Sequence, residues 1–103
     1  MVPDVSTALP DQPPEPPPHL EPPERQIWND VVAEWSGSKA SFAVLTSGLE
    51  AHMRARQCAA IIDEEGMVTL GRDGQPRVHP LCQVERANRK AFEQVFRQLG
   101  IKL

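Results

Sequence analysis

Gly66-Met67-Val68-Thr69-Leu70-Gly71-Arg72-Asp73-Gly74-Gln75-Pro76-Arg77-Val78-His79-Pro80 lies between two long segments of helical patterning, and its reading decides the fold. Gly66 suits the left-handed conformation that closes a helix. Met67–Leu70 and Gln75–Val78 are short strand-like runs, and Gly71-Arg72-Asp73-Gly74 between them is turn chemistry. The pair predicts a minor β-hairpin over 67–78. Pro76 has no N–H to donate, so its run can only be an edge. Pro80 fits the first turn of a following helix, where a missing N–H is no loss. His79, before it, is biased towards extended backbone and is expected to hold the hairpin against that helix by local hydrogen bonds.

Outward from this connector the prediction is all-α, with three main helices at about 22–35, 39–65 and 81–99. The first opens with Glu21 as cap and Pro22-Pro23 in its first turn; Ile27, Val31 and Trp35 recur every four residues, with Trp28 and Val32 widening the stripe. The tryptophans are read as core or interface packing, and the helix's acids as facing solvent without paired geometry. Ser36-Gly37-Ser38 ends this helix, and Ser38 caps the next. The second helix is roughly 40 Å long at 1.5 Å per residue. On a helical wheel it has two apolar stripes, nearly opposite. Phe42, Leu45, Leu49, Met53 and Ala60 form one; Val44, Ala51, Ala55, Cys58 and Ile62 form the other. A helix with two apolar faces is covered on both sides. The reading adopted is that the second, alanine-rich stripe meets a neighbouring subunit; the alternative is a protomer whose first and third helices cover both stripes. Arg56 stands beside the first stripe with no partner legible. Asp63-Glu64-Glu65 ends the helix against its dipole, either as a solvated end or as a docking patch. The third helix gathers Leu81, Val84, Ala91, Phe92, Val95 and Leu99 on one face. Arg86, Lys90 and Arg97 lie opposite, with Glu93 placed to pair with Arg97. Gly100 closes it, and Ile101 is expected to fold back.

The chain has 103 residues, and nine of its eleven prolines precede residue 24. Residues 1–20 therefore read as a disordered, proline-rich acidic arm. Residues 21–103 form the helical domain. A domain of roughly 80 residues often needs a metal, a disulfide or oligomerisation to support its core. The two cysteines, Cys58 and Cys82, are placed on helices as buried small hydrophobes; no ligand spacing joins them with His79, so neither metal nor disulfide is expected, and oligomerisation remains. No secretory signal or membrane span is recognised, which points to the cytoplasm.

No phosphate-binding glycine motif, nucleophile triad order or zinc-binding HExxH is present. His52 reads as packing or surface. The chain is read as a non-enzyme without cofactors. Net charge is −3, unevenly spread: residues 1–38 carry seven acids against Arg25, whereas residues 39–103 carry ten bases against seven acids. Arg72 and Arg77 on the hairpin, with Arg86, Arg89, Lys90 and Arg97 on the third helix, are the candidate DNA-binding residues. Repeated around a cyclic homo-oligomer, they would form a positive track for phosphates.

Pro17-Pro18-His19-Leu20-Glu21, Trp28 with Val31-Val32, Glu50 and Arg54-Ala55-Arg56 on the long helix, Glu65-Gly66, Gly71-x-x-Gly74, His79-Pro80 and Leu99-Gly100-Ile101 occur in this order over residues 17–103. Together they resemble the small terminase subunit of tailed bacteriophages. The second helix differs at its start, where that family has a Leu-Thr/Ser-x-x-Asp cap and this chain has Ser38-Lys39-Ala40-Ser41-Phe42. The resemblance implies a ring of subunits that binds double-stranded viral DNA. It also implies presentation of that DNA to the large terminase subunit, the ATPase and nuclease, in the cytoplasm of an infected bacterial host. Two other classes stay open: a protein-interaction scaffold using the proline-rich arm, and a small transcriptional regulator built on the short turn between the first two helices.

Overall fold

The computed structural model describes residues 14–102. Five elements follow in chain order: α1 (Pro22–Glu34), α2 (Lys39–Glu65), β1 (Val68–Leu70), β2 (Pro76–Val78) and α3 (Pro80–Leu99). The expected class, mostly helical with a small antiparallel hairpin, is found. Local chemistry explains the boundaries. Ser38 accepts a hydrogen bond from the Ser41 amide at 3.1 Å and so caps α2, despite the unusual opening of that helix. Gly100 takes φ 74°, ψ 22°, the left-handed cap expected of it. Gly66 differs from expectation. It ends α2 at φ 91°, ψ 150°, an extended positive-φ region open essentially to glycine alone. Glu21 stands at the cap of α1 without a side-chain capping bond, and prolines fill the first positions instead.

The hairpin pairs Val68 with Val78, Thr69 with Arg77 and Leu70 with Pro76. Its turn is closed by the Gly71 amide on the Gln75 carbonyl at 2.8 Å and by the Asp73 carboxylate on the Gln75 amide at 3.0 Å. His79 fixes the root, as anticipated. Its backbone N–H donates to the Met67 carbonyl at 2.7 Å. Its Nδ1 accepts from the Leu81 amide at 3.0 Å, capping α3, and its Nε2–H donates to Glu65 at 2.7 Å. These two bonds select one neutral tautomer and tie the end of α2 to the start of α3.

The core corrects the sequence reading of α2. Leu45 and Leu49 of the first stripe are fully buried, with Trp28 and Val31 of α1 in the same cluster. Phe42 packs between the two tryptophans, its ring centre 5.7 Å from that of Trp28 and 5.4 Å from that of Trp35. Of the second stripe, Ala51, Ala55, Cys58 and Ile62 are also buried, inside a single chain. They lie under α3, which runs back along α2. Their small side chains permit close approach, and Gly48 goes further: a Cβ there would sit 2.7 Å from Val95 Cγ1. The protomer thus covers most of both stripes itself, and these four residues are not a free subunit face; Val44 and Met53 are half-buried, and Ala60 at the end of the first stripe is exposed. On α3 the deepest residue is Phe96, its ring centre 4.6 Å from that of Phe92 with the planes tilted by 47°, and it is not on the expected face; Val84 and Ala91 of that face are exposed. Ile101 folds back as expected, its amide donating to the Phe96 carbonyl at 2.9 Å.

The arm boundary also shifts. Leu20 is buried in the core, and Pro14 accepts the Trp28 indole N–H at 2.9 Å. His19 donates to Glu50 at 2.7 Å. Residues 14–20 are therefore held on the body, because Leu20 fills the core and the proline carbonyls serve as acceptors. The remainder of the expected disordered arm, residues 1–13, lies outside the described residues.

Candidate nucleic-acid interface

The six bases singled out in the sequence fall in two places. Arg72 and Arg77 are on the hairpin and exposed. Arg77 bonds Asp73 across the turn at 3.2 Å, which leaves Arg72 without an ion-pair partner among the described residues. Arg86, Arg89, Lys90 and Arg97 are exposed along α3. Arg89 leans on Glu85 at 3.7 Å, a solvated contact of little energetic weight. Arg86, Lys90 and Arg97 have no ion-pair partner among the described residues; the pair anticipated between Glu93 and Arg97 is not formed, and Glu93 shares the exposed surface. From Arg86 to Arg97 the helix rises roughly 16 Å, about the axial span of five phosphates on one DNA strand. Arg72 at the turn is an outlying charge beyond the N-terminal end of this row. The surface presents point charges, of the kind that contact phosphates without reading base edges.

Among the described residues, the one charged group taken out of water is elsewhere. Glu24 of α1, expected to face solvent, is completely buried. Arg56 donates to it from Nε and Nη2, both at 2.8 Å, and from Nη2 also to Glu21 at 2.6 Å. His52 donates from Nδ1 to the same Glu24 carboxylate and rests its ring against Phe92 at 4.7 Å. Burial by itself pushes the Glu24 carboxyl up. The hydrogen bonds from Arg56 and His52 outweigh it, and the net direction is down. Arg56 is held above its ordinary value, first by the Glu24 hydrogen bond. Both carboxylate oxygens of Glu24 are committed to these donors, so the cluster ties α1 to α2. Neither Glu24 nor its pairing was legible in the sequence. The usable signal was Arg56 itself, a cation beside an apolar stripe, which implied an acid somewhere opposite.

Cys58 and Cys82 are free thiols, the first buried and the second half-buried. Among the described residues, no helix is long and apolar enough to cross a membrane. Comparison with family models, with curated proteins and with solved structures returns no match for this chain.

Proposed function

We propose that the chain is a viral DNA-packaging adaptor of the small terminase type, a non-catalytic protein that assembles as a ring. It holds duplex DNA by its phosphates and hands that DNA to a large terminase subunit, which carries the ATPase and nuclease. The observation that carries the DNA-binding part is the row of unpaired bases on α3, Arg86, Lys90 and Arg97, presented on a fold that uses none of them internally. The ordered motifs from Pro17 to Ile101 support the packaging role. A few charges per chain bind DNA weakly; several chains acting together multiply them.

Arg86→Glu combined with Lys90→Glu tests this reading. Both side chains are exposed and unpaired, so folding should be unaffected, with the circular dichroism melt unchanged. Affinity for a DNA duplex should fall sharply. For neutral replacements, Arg86→Ala with Lys90→Ala, the salt dependence should flatten by about 2 in slope per engaged subunit. Undiminished binding of the charge-reversed chain at low salt would reject the surface.

A protein-interaction scaffold is the second reading, favoured by the solvent-exposed apolar residues of the hairpin. Deleting residues 1–13, and not 1–20, separates the two, because Leu20 is core. The adaptor keeps its DNA affinity after that deletion, whereas a scaffold acting through the arm loses its partner.

A further inference from the structure

The hairpin turns an entirely apolar face to solvent. Val68 and Leu70 of β1 and Pro76 and Val78 of β2 are directly opposed pairs, so their side chains share one face of the ribbon. Val68, Leu70 and Val78 are 62%, 74% and 67% exposed, and Met67 at the root is 67% exposed. None of the described residues packs over them.

The ladder also has one usable edge. Hydrogen bonds of the His79 amide to the Met67 carbonyl and of the Gly71 amide to the Gln75 carbonyl bracket the strands. The alternation of an antiparallel ladder then directs the N–H and C=O groups of Val68 and Leu70 outward. On the other edge the corresponding position is Pro76, which has no N–H. Pairing by a further strand is blocked there and open at β1.

We infer that this face and the β1 edge seat a second copy of the chain. The inference rests on the reading that the chain assembles and names a surface that joins two copies; with β1 the open edge, the copies meet there as a twofold pair, and a larger ring takes a further contact. Charge indicates a copy. Arg72, at the tip, has no ion-pair partner, and neither do the exposed acids Asp63 and Glu64 of the α2 end, among the described residues. The carbonyls ending α2 add to that negative field. Three strand residues hold tip and root about 10 Å apart, so one chain does not bring these charges together, whereas a neighbour can.

The test is sedimentation of the full chain over a concentration series, with hydrogen exchange of the assembled form. Val68→Ser with Leu70→Ser should raise the concentration of half-assembly at least tenfold with the helix content unchanged. Arg72→Glu should weaken assembly, and adding Asp63→Arg with Glu64→Arg should restore it. The amides of Val68 and Leu70 should be protected in the assembled chain. If the serine variant assembles as the parent does, or these amides exchange freely in the assembly, the hairpin serves another partner and the inference falls while the ring reading stands. A parent chain that stays single at every concentration removes both.

Discussion

At the scale of the residue, Glu24 is the point where the chain takes its largest electrostatic risk. A buried carboxylate is tolerable only when donors replace its water, and here Arg56 and His52 do so. Removing one member of a fully buried pair costs about 3–5 kcal/mol. Arg56 is 37% exposed, so screening lowers that figure. Arg56→Met should therefore destabilise the chain by about 2 kcal/mol at neutral pH, measured by urea denaturation. The pH dependence has a fixed sign. The folded Glu24 carboxyl titrates below its ordinary 4.5, so its contribution is complete above that value and is lost as pH falls through the folded one. The gap between parent and variant should shrink below pH 4.5; a gap that stays constant into acid would show that the pair is not the source. None of this pairing was visible in the sequence, because the partners lie 32 residues apart and no local pattern links them.

Helices and the hairpin were largely legible, because caps and turns are local chemistry. Ser38, Pro80 and Gly100 set ends that the structure keeps to within a residue. What was not legible is which helix covers which stripe, since that depends on the crossing of α2 and α3. Gly48 records that crossing. In an isolated helix Gly48→Ala would stabilise by roughly 0.5–1 kcal/mol. Against Val95, with its Cγ1 2.7 Å and Cβ 2.9 Å from the added methyl, the helices must part. Overpacking of this kind costs about 1–3 kcal/mol. The substitution should lower the denaturation midpoint, and a raised midpoint would mean that α3 does not lie where described. Phe96 was overlooked for a related reason: it sits at the edge of the expected stripe, and the packing of α3 on α2 buries it beside Phe92.

For the molecule as a whole, the alanine-rich stripe of α2, expected from the sequence to meet a neighbouring subunit, is covered by α3 within one chain. Most of the exposed large apolar side chains among the described residues are at the hairpin, Met67, Val68, Leu70 and Val78, on a ribbon whose β1 edge is open to pairing. Under the proposed function, assembly and DNA binding are linked, since a basic row of a few charges gains strength by repetition around a closed set of subunits. The most direct measurement is the native mass of the full chain at micromolar concentration. The account predicts a defined multiple of 11.4 kDa. A folded species of 11.4 kDa alone would contradict it.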